Sequence, residues 1–191
     1  MTRPKEWPAM LASASYKPFA RLLHWIVAIL VIATIPAGQI MIREGLDRGT
    51  QDALFIFHKN VGVVILLLVI TRLVYRAFNP APPLPASIPP LQRHIAEINH
   101  WLLYALLIVM GVSGYVRVSA GGFPLEVFDA MGIPKLVAKS DPIAEIAQSI
   151  HFYTRIALIP LILLHIGAAL YHAVLKRDGV FSRMAPWPTR R

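Results

Sequence analysis

The stretch that decides the fold covers residues 149–177 and reads SIHFYTRIALIPLILLHIGAALYHAVLKR. Residues 156–175 carry no charged side chain, and ~20 such residues are what a helix needs to cross ~30 Å of hydrocarbon. Three histidines, His151, His165 and His172, nevertheless lie in this stretch, at spacings of 14 and 7 residues. Ionisable groups at membrane depth are rare and are functional by default. The stretch therefore predicts a membrane helix that carries a functional site.

Three further apolar stretches have the same length and character. Residues 22–42 and 98–116 contain no charge, and residues 53–75 contain only Lys59 and Arg72. The whole chain is 56% hydrophobic and 15% charged, whereas soluble domains are about a quarter charged. None of the stretches alternates with period two, which disfavours a membrane barrel. The sequence predicts an all-α, integral membrane four-helix bundle.

The connections define the expected boundaries. We expect helices at about residues 18–41, 52–77 and 97–118, and a fourth of ~34 residues with Asp141 as its N-cap and Pro142 as its first residue. The linker 79–94, NPAPPLPASIPPLQRH, favours an extended form. The loop 119–140 has room for a short interfacial helix. Residues 16–184 form the expected membrane domain, between a flexible tail at 1–15 and a basic tail at 185–191.

The net charge of +9 is distributed as a membrane topology requires, so it does not call for a nucleic-acid partner. With four crossings, both termini and the linker share one side, which holds 12 Lys and Arg against three acidic residues; the other side holds seven of each. Basic residues accumulate on the cytoplasmic side, so both termini should be cytoplasmic. Cysteine is absent, which excludes cysteine-held iron–sulfur clusters, thiolate metal sites and covalently attached haem.

The histidines match in depth across three helices. Fourteen residues span ~1400°, ~40° short of four turns, with a rise of ~21 Å, so His151 and His165 share a face at two levels. His24 lies near the cytoplasmic start of the first helix and His58 near the outer start of the second. Antiparallel packing then predicts an inner pair, His24 with His165, and an outer pair, His58 with His151.

Two facing imidazoles at each level suit haem with two axial histidines, which leaves the iron no open position and favours electron transfer. A hydrogen bond to a neighbouring helix would explain any single membrane histidine, and zinc would need about four ligands. We expect His94 and His100 to be solvated at the membrane surface. His172 lies ~10 Å nearer the cytoplasm than His165, where it suits a proton-coupled site.

Cationic side chains near these levels are candidates for binding haem propionates. Arg21 and Arg72 are the inner candidates, and Lys59, Arg155 and Arg117 are the outer ones. Membrane topology and interfacial snorkelling explain the same residues. Three glycines could admit a porphyrin or simply allow close helix packing: Gly62, Gly111 and Gly114.

Four segments together resemble the bacterial cytochrome b561 family: RLLHWIVAIL (21–30), FHKNVGVVILLLVITRLVYRAFNPAPPLP (57–85), NHWLLYALLIVMGVSGYV (99–116) and HFYTRIALIPLILLHIGAALYHAVLKRDGV (151–180). The resemblance covers residues 16–184. It implies a multi-pass protein of the bacterial inner membrane with two non-covalent b haems and electron transfer linked to quinone. Carried over by position, the axial ligands are His24, His58, His151 and His165, and His172 is the quinone-side histidine.

The resemblance leaves the electron donor open. One branch of the family is superoxide oxidase, which passes an electron from superoxide to ubiquinone. The alternative interpretation is that the chain is a cytochrome subunit that docks a periplasmic redox protein and accepts its electrons. Because the outer side has no net charge, steering of an anion would depend on a patch around Lys59, Arg117 and Arg155. A histidine-dependent cation transporter is an alternative of another class, but it lacks the expected membrane carboxylates.

Overall fold

The computed structural model describes residues 15–85 and 87–186, and this part of the chain is helical with no strand. Its elements are α1 (Pro18–Ile40), α2 (Arg48–Phe78), α3 (Pro90–Ala120), the short α4 (Glu126–Ala130) and α5 (Asp141–Leu170), which continues into a π-helical turn (Tyr171–Lys176). A 3-10 turn follows at Phe181–Arg183. Within the described ranges, four helices are long and apolar enough to cross a membrane, and they are α1, α2, α3 and α5 with its π-helical turn. The predicted four-helix membrane fold is confirmed.

Three helix starts differ from the expectation. α2 begins four residues early because Asp47 caps it, its side chain accepting from the amide of Thr50 over 2.9 Å. α3 begins at Pro90, about two turns early. Proline fits the first turn of a helix because its missing N–H is not needed there. The linker therefore ends at Pro89, and the expected extended geometry of residues 90–94 was wrong. α5 begins at Asp141 itself, with Ser140 in the N-cap position, and the Ser140 side chain makes no capping hydrogen bond.

Both ends of the described chain meet at one end of the bundle, which we call the linker end. Arg183, which is buried, donates to the carbonyls of Pro82 and Pro83 over 2.7 and 2.8 Å. Trp25 in α1 donates to the carbonyl of Met184 over 2.7 Å. The segment 177–186 thus folds back beneath α1 and the proline linker, and it includes Ala185, which is buried. The remainder of the two expected tails, at 1–14 and 187–191, lies outside the described residues.

The opposite end, which we call the loop end, carries the connection at 41–47 and the loop 121–140. Between the two ends, α1 packs on α2, α2 on α3, and α3 on α5. The core cluster at the centre joins α1, α2 and α3 through Val27, Ile65, Val69 and Tyr104. Within the described residues, α5 makes no comparable backbone contact with α1 or α2. It faces them instead across a space that is bridged by histidine side chains.

Candidate cofactor site

The loop-end pair consists of His58 on α2 and His151 on α5, with ring centroids 6.2 Å apart and ring planes at 78°. Nδ1 of His58 lies 3.1 Å from the carbonyl oxygen of Thr34, and Nδ1 of His151 lies 3.1 Å from that of Met110. A carbonyl oxygen can only accept, so each Nδ1 carries the hydrogen and donates. Each Nε2 therefore keeps a lone pair, which is the state of histidine that binds a metal.

A glycine one turn beyond each accepting carbonyl lets the imidazole lie against the helix backbone. Gly38 follows Thr34 by four residues, and a Cβ at Gly38 would lie 2.6 Å from Cε1 of His58. Gly114 follows Met110 by four residues, and a Cβ there would lie 3.2 Å from Cε1 of His151. Residues four apart lie one above the other on a helix, so a side chain at either position would cover the carbonyl. The same backbone device thus holds both loop-end imidazoles.

The linker-end pair consists of His24 on α1 and His165 on α5, with ring centroids 6.0 Å apart and planes at 75°. A third imidazole, His100 on α3, lies against His165 with centroids 5.3 Å apart. Nδ1 of His24 is buried and has no hydrogen-bond partner in the described part of the chain. Unlike the two loop-end rings, His24 is therefore not held by a hydrogen bond from Nδ1 within the described residues.

The surface position expected for His100 was wrong. Because α3 starts at Pro90 and not near residue 97, His100 lies almost three turns inside the helix, ~15 Å from its start. His94, in contrast, is exposed as expected. The sequence does contain one indication of this earlier helix start, the proline pair at 89–90. Such a pair fits the start of a helix as well as it fits an extended linker.

The two pairs matched by depth in the sequence are the pairs that the structure brings together, and their spacing fits one metal ion between the rings. Metal–nitrogen bonds to histidine are ~2 Å long and the ring centre lies ~1 Å behind the nitrogen, so imidazoles on opposite sides of a metal have centroids ~6 Å apart. The observed 6.0 and 6.2 Å agree. Among the described residues, no group of three or more His, Asp or Glu side chains could hold a free metal ion. A planar cofactor with two axial imidazoles fits this donor set.

Arg72 on α2 places a positive charge beside the linker-end pair, close enough to act electrostatically on His24 and His165. Its guanidinium lies over the ring of Tyr104, 5.3 Å from the centroid. It forms no ion pair with a carboxylate in the described ranges. A charge inside a membrane protein normally has a partner of opposite sign, so Arg72 is well placed for an anionic ligand group.

The other cations and glycines singled out in the sequence have different surroundings. Arg155 stacks over Phe152 at 4.9 Å, and Arg21 points to the carbonyl oxygen of Pro186 at 3.5 Å. Arg117 lies near both loop-end histidines. A Cβ at Gly111 would meet Leu66, which indicates helix packing, whereas one at Gly62 would meet nothing within 4 Å.

Lys59 belongs to a cluster that holds α4 against α2, which we call the α4 clamp (Lys59, Asn60 and Glu126). The amine of Lys59 lies 2.6 Å from Oε1 of Glu126, and Nδ2 of Asn60 donates to Oε2 over 2.7 Å. Asn60 is buried, and its Oδ1 accepts from the amide of Val127 over 3.0 Å. The positive charge of Lys59, a candidate from the sequence for binding a haem propionate, is therefore paired with Glu126. The clamp also holds the loop 121–140 next to His58.

The α4 clamp should make stability depend on pH. Burial raises the pKa of Glu126, but hydrogen bonds from Lys59 and Asn60 outweigh it and hold the pKa below the usual 4.5. Stability from the ionised carboxylate is then present above pH 4.5 and is lost as the pH falls through the lowered value.

We expect Glu126→Gln to destabilise the protein by about 1–2 kcal/mol at pH 7 because it removes the charge from two hydrogen bonds. Thermal unfolding in detergent at pH 7 and near pH 4 measures this, and the gap between wild type and variant should narrow at the lower pH. Asp129→Asn is the matched control, since Asp129 forms a longer and more exposed pair with Lys135 at 3.7 Å. Equal effects of the two substitutions would contradict the role of the clamp.

His172 lies in the π-helical turn at the linker end, where its Nδ1 is 2.6 Å from Oδ2 of Asp178. The other carboxylate oxygen of Asp178 accepts from the amide of Val180 over 3.2 Å. Burial raises the pKa of Asp178, but the hydrogen bonds from His172 and Val180 outweigh it and hold the pKa below its usual 3.8. An ionised carboxylate thus orients the imidazole at the linker end of α5.

The chain is similar to known proteins over most of its length. The sequence profile of the family described as prokaryotic cytochrome b561 matches residues 15–187. Cytochrome b561 homolog 2 of Escherichia coli (strain K12) is 30% identical over 170 residues, covering 88% of this chain and 90% of that protein. Probable superoxide oxidase CybB of Yersinia pestis is 27% identical over 164 residues, covering 86% and 92%. The chain belongs to the prokaryotic cytochrome b561 family, whose members are haem-b-binding electron-transfer proteins of the bacterial inner membrane.

Proposed function

We propose that this chain binds two b haems, one between His24 and His165 and one between His58 and His151. The observation that carries the proposal is the presence of two imidazole pairs at two depths, each with the ring spacing that a single iron requires. The pairs are separated by 14 residues on α5, a rise of ~21 Å, which is most of the hydrocarbon thickness. An electron carrier at each depth would connect the two sides of the membrane.

A haem held by the two imidazoles of a pair would supply one-electron transfer, and the chain's own residues would bind and orient it. The carbonyls of Thr34 and Met110 hold the loop-end imidazoles through Nδ1, which leaves the lone pair of each Nε2 available to a ligand. Arg72 offers its charge to a propionate of the linker-end haem. Arg21, Arg117 and Arg155 are further candidates for propionates, and Lys59 would have to leave Glu126 to act as one.

We place the linker end on the cytoplasmic side because basic residues accumulate there. In this orientation, electrons enter at the loop end and leave at the linker end to ubiquinone, near His172. The hydrogen-bonded pair of His172 and Asp178 supports that exit, because reduction of a quinone takes up protons and a histidine oriented by a carboxylate can donate one.

We expect Asp178→Asn to slow quinone reduction about 10-fold at neutral pH, since it removes the charge that orients His172. Asparagine keeps an oxygen for the amide of Val180, so the turn should survive. Quinone reduction is measured beside haem content and haem reduction by a chemical reductant, which should not change. Glu97→Gln is the control, because Glu97 is an exposed acid at the same end. A quinone rate equal to that of wild type would remove Asp178 from the exit.

The electron donor that we favour is superoxide. Arg117 and Arg155 place positive charge beside the loop-end pair, which suits an anion, and one relative in Yersinia pestis carries the name probable superoxide oxidase. The second candidate donor is a periplasmic redox protein. A protein donor is favoured because the loop 121–140 exposes apolar side chains that a protein partner could cover, namely Phe123, Val127, Met131, Ile133 and Leu136.

One experiment separates these donors. The purified chain is exposed to a superoxide source with ubiquinone present, and haem reduction is followed spectroscopically. We expect reduction well above the spontaneous rate, abolished by superoxide dismutase, and followed by reoxidation by the quinone. Haems that respond to a chemical reductant but not to superoxide would exclude superoxide and favour a protein donor.

A further inference from the structure

The two histidine pairs differ in what their second ring nitrogens do. At the loop end, both Nδ1 atoms donate to backbone carbonyls at 3.1 Å. At the linker end, Nδ1 of His24 is buried without a hydrogen-bond partner in the part of the chain that the structure describes. The asymmetry is encoded in the sequence, because the accepting carbonyls of Thr34 and Met110 are uncovered by Gly38 and Gly114.

Hydrogen bonding of this kind changes the electronic properties of a ligand. An imidazole that donates from its remote nitrogen becomes more basic and gives more electron density to the metal. That density stabilises Fe(III) over Fe(II), so it lowers the reduction potential. Positive charge acts in the opposite direction, but it is present at both pairs, as Arg72 at the linker end and as Arg117 and Arg155 at the loop end. Positive charge is thus found at both sites, and hydrogen bonding from Nδ1 is the feature that differs in kind between them.

We propose that the loop-end haem has the lower reduction potential because its two histidines donate to the carbonyls of Thr34 and Met110. Gly38 and Gly114 leave these carbonyls accessible to the imidazoles. With a haem held at each pair, this order would favour the transfer of one electron towards the linker end. Iron at the loop end would change from Fe(II) to Fe(III) and iron at the linker end from Fe(III) to Fe(II), and no proton or further reactant would be needed. The inference rests on the proposed function, because it requires one haem at each pair, and it gives that function its direction.

The test is a potentiometric titration of the purified protein, followed by its b-type absorption and independent of any activity. Wild type is titrated beside His165→Ala and His24→Ala. Each of these two variants loses a linker-end ligand and should keep only the loop-end haem. His58→Ala should keep only the linker-end haem. We expect a lower midpoint in the first two variants than in the third. An equal or reversed order would overturn the inference.

A second variant identifies the cause. The Cβ of Gly114→Ala would lie 3.3 Å from Nδ1 of His151 and should move the ring away from the carbonyl of Met110. The lower of the two midpoints in this protein should rise. The matched control is Gly111→Ala on the same helix, whose Cβ meets Leu66 rather than a histidine and should leave both midpoints unchanged.

The outcomes distinguish the two proposals. A shift of the higher midpoint in Gly114→Ala, or equal shifts in both glycine variants, would overturn the inference about the carbonyls. If Gly114→Ala fails to bind haem, the comparison of the single-haem variants still decides the order. Wild-type protein that contains only one haem per chain by haem content would refute the proposed function itself, whereas two haems with equal midpoints or in the reverse order would refute only this inference.

Discussion

Replacing His165 by alanine is expected to remove the linker-end haem and to leave the loop-end haem in place. His165 supplies one of the two imidazoles of the linker-end pair. His100 contacts the ring of His165, and we do not expect it to take over as a ligand when that ring is removed. The loop-end imidazoles are held by α1 and α3 through hydrogen bonds that do not involve His165. Bound haem per chain should fall by about half, and electron transfer from the loop end to quinone should be lost.

The control for this prediction is His94→Ala. His94 is an exposed histidine at the same end, so its removal should change neither haem content nor electron transfer. Full haem content in His165→Ala would show that His165 is not an axial ligand. Loss of both haems in a folded protein would show that the two sites are not independent.

Replacing Gly38 by alanine is expected to cause a comparable loss at the other site. The added Cβ would lie 2.6 Å from Cε1 and 2.9 Å from Nδ1 of His58, which is closer than real Cβ atoms come. The ring would have to leave the carbonyl of Thr34, and its Nε2 would turn away from the position opposite His151. The loop-end haem should be lost, and about half of the total haem should remain.

The glycines of the bundle supply the controls for Gly38→Ala. A Cβ at Gly111 would lie 2.8 Å from Leu66, so Gly111→Ala has a similar clash without a histidine. It should lower thermal stability without selective loss of one haem. Gly114→Ala, with its milder contact of 3.2 Å to His151, should bind more haem than Gly38→Ala. If Gly111→Ala loses haem as Gly38→Ala does, helix packing and not the histidine contact explains the effect.

The membrane fold and the pairing of histidines could be predicted because both follow from local periodicity and from topology. Four long apolar stretches with few or no charges determine four crossings, and antiparallel neighbours must place residues of equal depth side by side. The step from His151 to His165 is close to a whole number of helical turns, so these two residues share a face whatever packs on it. Their role as ligands stays a prediction that the haem measurements test.

The features that could not be predicted depend on contacts between elements distant in sequence. Gly38 has no local mark that distinguishes it from other glycines, and its importance comes from His58 on a neighbouring helix. Lys59 follows a predicted ligand directly, so it suggested a propionate partner, yet Glu126 from the far loop binds it. His100 was placed at the surface because a proline pair fits both a linker and a helix start.

The central claim, that the chain holds one haem between each pair of imidazoles, is tested most directly by the amount of haem per chain in wild-type protein and in His165→Ala. We expect two haems per wild-type chain, a b-type band in the reduced-minus-oxidised spectrum, and one haem per chain in the variant. Wild-type protein with a single haem, or a variant that keeps both, would contradict it. A wild-type chain without haem would contradict both proposed haem sites.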